Sequence, residues 1–384
     1  MLPARPALAW LAGEASGDLL ASLVLPEVRR RAPALDHVGV GGERMVAAGL
    51  TAWHSSQELS VRGYVEVLRH LPRLLRLRRS LQQRLLGAMP RAFVGVDAPD
   101  FNLGLELKLR AAGIPIVHMV APAVWAWRPE RVDLVRRAVD HLLMIFPFEE
   151  AIFAPAGVRC TYIGHPLARE IPLAPDAAAA RGRLGLPASG PLVALLPGSR
   201  PDEITWCAPL FLDAARLMLD SDPGLRFVLP AADDALHARL AALLDVRPRL
   251  AERTTLVLGR SHDALEASDA VLVASGTATL EAALYKRPMV VSYRMPRLSA
   301  WLIRRKGRIP YVALPNILAG RFLVPEFLQE QAQAAPIARA LMEQLAPGRR
   351  EALAGPYAEM HHALLRDTPA LAAQAILATA GAGA

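Results

Sequence analysis

Residues 7–18 read Ala-Leu-Ala-Trp-Leu-Ala-Gly-Glu-Ala-Ser-Gly-Asp, an apolar run that enters a turn of small residues. An apolar run of this length bounded by glycine predicts a strand buried on both faces. From Asp18 to Arg31, Leu19, Leu20, Leu23, Val24 and Val28 recur at helical spacing, so the strand passes through the turn into an amphipathic helix. The run His37 to Val40 completes a βαβ opening. Further short apolar runs follow at Ala92 to Val96, Pro115 to Val120 and His141 to Ile145, each separated by a helical pattern or a loop. Alternation of this kind predicts a parallel sheet with helices on both faces.

After Gly164-His165-Pro166 the texture changes, because Pro172, Pro175, Pro187 and Pro191 punctuate an alanine-rich segment. That marks a domain boundary. A second series starts with Leu192 to Leu196, which runs into Pro197-Gly198-Ser199-Arg200. Strands at Arg226 to Pro230, Thr255 to Leu258, Ala270 to Ala274 and Met289 to Tyr293 then alternate with helices. The fold class expected is α/β, with two consecutive doubly wound domains, 1–172 and 173–355, facing a central cleft where such pairs ordinarily bind ligands.

Length and composition agree with two domains and exclude a disordered chain, since 384 residues at 53% hydrophobic content supply real cores. The charge says less. Only three of the 44 basic residues are lysines (Lys108, Lys286, Lys306), so a net +8 reflects an arginine-rich composition as well as any acidic partner. Cys160 and Cys207 cannot build a disulfide framework or a Cys-x-x-Cys site, which fits a reducing compartment. The apolar start at residues 1–13 is too short for an export signal, and the longest weakly charged stretch, Ala111 to Trp127, contains His118, Pro115 and Pro122 and falls short of a membrane span.

The turn Gly13-Glu14-Ala15-Ser16-Gly17-Asp18 allows close backbone approach and presents helix N–H groups to an anion, which makes Glu14 and Ser16 candidates for the cleft; the plainer alternative is that Ser16 or Asp18 caps the helix. Gly39-Val40-Gly41-Gly42 approaches a nicotinamide fingerprint, but Arg44 stands where the pattern needs freedom. Val94-Gly95-Val96-Asp97-Ala98-Pro99-Asp100-Phe101-Asn102 puts two carboxylates past a strand end. Asp100 is expected to cap the following helix, leaving Asp97 as the general base, although the spacing alone does not decide between the two. Trp125 and Trp127, in Pro122 to Arg128, offer aromatic faces for a sugar or an acyl chain, or simply pack.

In the second domain, Leu196-Pro197-Gly198-Ser199-Arg200 brings amides, a hydroxyl and a guanidinium to one strand end, a set suited to a diphosphate, or else forms a Pro-Gly turn with a solvated arginine. Ala274-Ser275-Gly276-Thr277-Ala278-Thr279-Leu280-Glu281 is a second small-residue loop opening a helix, with Glu281 one turn in, placed for ribose hydroxyls or only for the helix dipole. Together the two loops point at a nucleoside diphosphate. Asp220-Ser221-Asp222 matches the Asp-x-Asp of metal-dependent sugar transferases, but before Pro223-Gly224 it is read as a solvated turn, and no cluster has metal-ligand spacing. His165 is expected to be structural or loosely substrate-facing.

Seven motifs occur in one order: G-E-A-S-G-D, V-D-A-P-D-F-N, P-A-V-W-A-W-R, I-G-H-P, L-P-G-S-R, A-S-G-T-A-T-L-E and L-P-N-I-L-A-G-R. From about Ala7 to Glu330 the chain resembles the bacterial lipid-A-disaccharide synthases. The resemblance implies a GT-B glycosyltransferase of two Rossmann-like domains acting in lipid A and lipopolysaccharide biosynthesis, inverting, without metal or cofactor. It implies UDP-2,3-diacylglucosamine as donor, 2,3-diacylglucosamine 1-phosphate as acceptor, and a β-1,6-linked disaccharide 1-phosphate and UDP as products. By motif match Asp97 would deprotonate the acceptor, and Ser199, Arg200, Gly276, Thr277, Thr279, Glu281 and Asn316 would surround the UDP. Ala15 stands where the family often has Thr, removing one hydroxyl. The C-terminal helix, about 356–384 with a break at Pro369, would return to the first domain. Monomer and homodimer both stay open.

Two basic, apolar stretches then acquire a meaning. Val61 to Leu86 carries Arg62, Arg69, Arg73, Arg76, Arg78, Arg79 and Arg84 among Val65, Leu68, Leu71, Leu75, Leu81 and Leu85, and Arg294 to Arg308 adds Arg297, Arg304, Arg305 and Lys306 around Trp301. Both are expected to rest on an anionic membrane surface, giving a cytoplasmic protein peripheral on the inner face of the inner membrane; solvated helix faces are the alternative. Rival readings are another UDP-hexosamine transferase or epimerase of the same fold, and a nucleic-acid binder, for which only the pI speaks and no motif does.

Overall fold

The computed structural model describes residues 6–59, 64–126, 128–296 and 310–382. Trp127, the start of the first basic stretch and nearly all of the second lie outside the described residues. The described residues form two α/β units, one of 1–166 with 364–384 and one of 167–363.

In the first unit the strands are β1 (Ala7–Ala12), β2 (Asp36–Gly41), β3 (Thr51–Ser55), β4 (Ala92–Val96), β5 (Ile116–Met119), β6 (His141–Met144) and β7 (Cys160–Tyr162). They lie in the order β3-β2-β1-β4-β5-β6-β7, with every neighbouring pair parallel. The second unit holds β8 (Leu192–Leu196), β9 (Arg226–Ala231), β10 (Thr254–Leu258), β11 (Ala270–Val273), β12 (Met289–Tyr293) and β13 (Glu326–Leu328). Their order is β10-β9-β8-β11-β12-β13, again all parallel. Strands β1, β4, β6 and β8 are buried along their whole length, as their unbroken apolar runs require.

In each sheet the winding reverses once, between β1 and β4 and between β8 and β11. At such a switch point the two outgoing loops diverge and leave a crevice at the carboxyl ends of the strands. The registers make the ends flush: Ala12 pairs with Val96, and Leu196 with Val273. The loops carrying Glu14 and Ser16, Asp97 and Asp100, Ser199 and Arg200, and Gly276 to Glu281 therefore fall at one of two places in the fold.

Two boundaries differ from expectation. Residues 167–172 go with the second unit because the helix Pro166–Glu170 is tied there, His361 Nε2 lying 2.8 Å from the Ala168 carbonyl oxygen, and Ile171 is buried. The C-terminal segment does not run as one piece broken at Pro369. Pro356 lies inside the helix Arg349–Leu364, whose Tyr357 and His361 are buried in the second unit, and the chain rejoins the first unit only from Leu364. Pro369 instead sits in the first turn of the last helix, Thr368–Thr379, where no N–H is needed. That helix packs against Ala15–Arg31 and is anchored by Thr368 Oγ1 donating to the Ile163 carbonyl at 2.8 Å.

Candidate active site

At the first switch point the helix Ala15–Arg31 starts immediately after β1, with extended Glu14 as its N-cap residue and no side-chain cap. Neither Ser16 nor Asp18 caps this helix. Ser16 Oγ instead donates to Asp97 Oδ2 at 3.3 Å. Asp18 turns inward, where its carboxylate accepts from the N–H groups of Gly42 (2.6 Å), Arg44 (3.2 Å) and Met45 (3.3 Å). The glycine loop after β2 thus already has an anion on its amides, supplied by the protein. Gly17 lets the helix cross the end of β4, since a Cβ there would lie 3.3 Å from the Val96 carbonyl oxygen.

Asp97 follows β4 directly, and both it (φ 54°) and Ala98 (φ 44°) adopt the left-handed conformation. For residues with a Cβ this is unfavourable by roughly 1–2 kcal/mol each, a cost that surrounding contacts must offset. Asp97 N–H donates to the Met119 carbonyl at 2.9 Å, and Asn102 Nδ2 donates to the Asp97 carbonyl at 2.7 Å. The helix Pro99–Ala111 begins with Ala98 as its N-cap residue and no side-chain cap, so Asp100 does not cap it as expected. The Asp100 carboxylate is instead drawn outward by Arg131 and by Arg128, the latter at 3.4 Å. Asp97 is half-buried and touched by a neutral hydroxyl, and among the described residues no cationic side chain forms an ion pair with it.

Beside this loop, Trp125 packs edge-on against Phe148 at 5.4 Å, and Phe146 contacts both Phe148 and His165. Sequence reasoning missed Glu149. It is buried, accepts from the Phe146 N–H at 3.0 Å, and burial pushes its pKa up to about 8. Burial also holds His165 down to about 4, so that it is a neutral packing residue.

At the second switch point, Gly198 (φ 123°) turns β8 into the helix Pro201–Ser221. Glu203, one turn in, accepts from the N–H groups of Ser199 (2.9 Å) and Arg200 (3.2 Å). The amides expected for a diphosphate are therefore capped from within. The Ser199 hydroxyl and the Arg200 guanidinium, more than half exposed, are what this loop presents. A Glu three residues after the helix-entry position is a readable capping signal, whereas Asp18 reaching its loop from 24 residues away has none.

The neighbouring loop is more open. Gly276 (φ 104°) precedes the helix Thr277–Leu284, which has no side-chain cap, and Thr277 is exposed. Thr279 is fully buried: its hydroxyl donates to the Gly276 carbonyl at 2.8 Å and accepts from Leu314 N–H at 3.1 Å. Asn316 is also fully buried. Its amide donates to the Val324 carbonyl and to Glu326, and its oxygen accepts from the N–H groups of Leu323 and Val324. These two build the loops rather than presenting atoms to a ligand. Glu281 is half-buried with His262 Nε2 at 3.8 Å, and that contact, opposed by burial, holds the His262 pKa above its ordinary value.

The Asp220-Ser221-Asp222 turn is a surface feature, with Asp220 paired to Arg216 and Arg249 and Asp222 accepting from Gly224 N–H at 2.8 Å. Among the described residues no group of three His, Cys, Asp or Glu side chains is placed to hold a metal ion, and no helix is long and apolar enough to cross a membrane.

Comparison with known proteins gives the family and the fold. The family profile described as lipid-A-disaccharide synthetase matches residues 8–377. A lipid-A-disaccharide synthase of Paraburkholderia phymatum is 52% identical over 98% of this chain and 97% of its own, and one of Paraburkholderia xenovorans is 50% identical over 97% and 96%. Among solved structures, the S. aureus MnaA-UDP co-structure aligns at TM-score 0.65 with 13% identity, covering 98% of this chain and 97% of that one. A glycosyltransferase of kitacinnamycin aligns at TM-score 0.62 with 14% identity over 98% and 100%. Those two likenesses establish the GT-B fold, while the profile and the half-identical relatives carry the family: the chain belongs to the lipid-A-disaccharide synthases.

Proposed function

We propose that this hexosyltransferase of lipid A biosynthesis moves 2,3-diacylglucosamine from UDP-2,3-diacylglucosamine to 2,3-diacylglucosamine 1-phosphate, with Asp97 as base and the loops after β8 and β11 as the UDP site. The acceptor 6-hydroxyl gives its proton to Asp97 as its oxygen attacks the anomeric carbon. The bond from that carbon to the diphosphate breaks on the opposite face, and its electron pair leaves with UDP. Attack and departure in line invert the anomeric centre and give the β-1,6 linkage.

One observation supports this assignment above the others: two switch points of unlike chemistry. The first presents a carboxylate with no cationic partner among the described residues, suited to accept a proton. The second presents Arg200, the Ser199 hydroxyl and the uncapped N-terminus of Thr277–Leu284, suited to the charge that builds on departing UDP. Glu281 then takes ribose hydroxyls, and Thr279 and Asn316 hold the shape of the Gly276–Thr277 loop. The epimerase reading rests only on fold likeness at low identity, so it is not favoured.

The acyl chains would enter beside the helix Tyr64–Ala88 as it rests on the inner face of the inner membrane. Leu77, Leu81 and Leu85 turn into the core, while Leu71 and Leu75 are exposed among exposed Arg73, Arg76 and Arg79. The leucine stripe thus continues where the protein no longer covers it, next to cations that suit anionic headgroups. UDP release measured with acylated and unacylated donor and acceptor tests the reaction: turnover confined to the acylated pair is expected, and equal turnover of unacylated sugars overturns the lipid assignment. Flotation with anionic against neutral vesicles tests the surface.

A further inference from the structure

Behind the Asp97 loop lies a buried polar cluster that the proposed chemistry leaves unused. His118 on β5 and Glu106 on the helix Pro99–Ala111 are both fully buried, with His118 Nδ1 2.7 Å from Glu106 Oε1. Asn102, one turn before Glu106 and on the same helix face, is fully buried as well. Asn102 holds the Asp97 carbonyl, and Met119, the residue after His118, holds the Asp97 N–H. The two elements that grip the backbone of the base are the two that the Glu106–His118 contact joins.

Stability alone does not account for the pair. A Cβ at Gly95 would stand 2.0 Å from Glu106 Oε1, so β4 carries a glycine to leave room for the carboxylate. Glycine inside a strand is unfavourable, and a buried ion pair replaced by apolar residues of similar volume is often no less stable. Burial disfavours the imidazolium, yet the adjoining Glu106, with a lesser contribution from Asp97, raises the His118 pKa overall. Glu106 Oε2, His118 Nε2 and Asn102 Oδ1 find no hydrogen-bond partner among the described residues, so the cluster is polar beyond what the contact itself satisfies.

We propose that Glu106 and His118 are positioning residues for sugar transfer: their contact locks the helix Pro99–Ala111 to β5 and so holds Asp97, through Asn102 and the Met119 carbonyl, in the left-handed conformation that presents its carboxylate. This rests on Asp97 being the base. A displacement of about 1 Å at a reacting group can lower a rate by about 100-fold, the scale on which such a device would act.

The test compares kcat, acceptor KM and UDP affinity in the full chain for the paired substitution Glu106→Met with His118→Leu, for Glu106→Gln, and for both in an Asp97→Asn background. Thermal unfolding reports whether each variant is folded. The paired substitution is expected to lower kcat about 10- to 100-fold with UDP affinity within about twofold, Glu106→Gln to recover most of that rate by keeping the contact, and neither to change the residual rate of Asp97→Asn by more than about twofold. If the paired substitution keeps the wild-type kcat, or lowers it equally in both backgrounds, the positioning role is overturned. If Asp97→Asn itself turns over at the wild-type rate, the base assignment falls and this inference with it, which separates the two failures. Should the paired variant not fold, Asn102→Leu removes only the tie to the Asp97 carbonyl and is judged by the same two criteria.

Discussion

The crevices at β1/β4 and β8/β11 share one topology and end in opposite chemistry. In both, a buried strand enters a short loop and then a helix, and in both a carboxylate from that helix accepts backbone N–H groups. The difference is where the capping carboxylate reaches. Asp18 spans to the loop after β2, leaving the neighbouring strand end to Asp97 and its hydroxyl partner Ser16. Glu203 caps its own loop, leaving Arg200 exposed and the N-terminus of Thr277–Leu284 uncapped. Sheet order fixes the location of each crevice, and a few side chains decide whether it presents a carboxylate or a guanidinium.

The widest separation between the two should come from Asp97→Asn. General-base removal is expected to lower kcat by about 10²- to 10⁴-fold, with UDP affinity by calorimetry unchanged because the loops after β8 and β11 are intact. Arg200→Ala should lower kcat too, but unlike Asp97→Asn it should also weaken UDP binding. Losing one charge-assisted contact of about 1.5–3 kcal/mol weakens UDP binding about 10- to 100-fold, and Arg200→Lys restores part of it, since a point charge lacks the planar fork. If Asp97→Asn weakened UDP as much as Arg200→Ala, the division of roles would be wrong.

The glycines of the two turns give a smaller contrast. Alanine at Gly198 would need a φ of 123° and would place its Cβ 2.4 Å from Glu203 Cβ, whereas at Gly13 the nearest atom is Ala98 Cβ at 3.4 Å, an ordinary contact. Gly198→Ala should destabilise by about 1–3 kcal/mol, read as a drop of several degrees in Tm, and Gly13→Ala by well under 1 kcal/mol. Equal melting temperatures would show that the loop after β8 relaxes freely.

The doubly wound α/β organisation of both units was legible in the sequence because buried parallel strands are unbroken apolar runs, whereas the strand order that sets the switch points was not. Asp97 was legible too, as a carboxylate directly after such a run. What could not be read was the direction of polar side chains across the fold. Asp18 looks like a helix cap, and Thr279 and Asn316 like ligand residues, in their motifs, but their partners are at Gly42, Leu314 and Val324, and pairings made by tertiary approach leave no mark on local spacing. Glu106 and His118 were invisible for the same reason, each an isolated polar residue in an apolar pattern. The break near the C-terminus was placed at Pro369 because proline stops a helix from inside, while in the first turn it is accommodated.

The smallest effect should come from Ser16→Ala, and it tests whether Asp97 is held only from behind. Ser16 Oγ donates to Asp97 Oδ2 at 3.3 Å in an exposed setting, a long contact between a neutral donor and a carboxylate. Its net worth is at the lower end of about 0.5–1.5 kcal/mol, so kcat should fall by only a few-fold, because losing the donor loosens the carboxylate. The backbone ties from Asn102 and the Met119 carbonyl remain, and they, rather than the hydroxyl, hold the left-handed turn. Steady-state kcat and acceptor KM of Ser16→Ala measured beside wild type check this. A loss as large as that of Asp97→Asn would mean that the loop after β1 takes part in the chemistry directly, and the first crevice would then work through two elements where the second divides its task between Arg200 and the Gly276 loop.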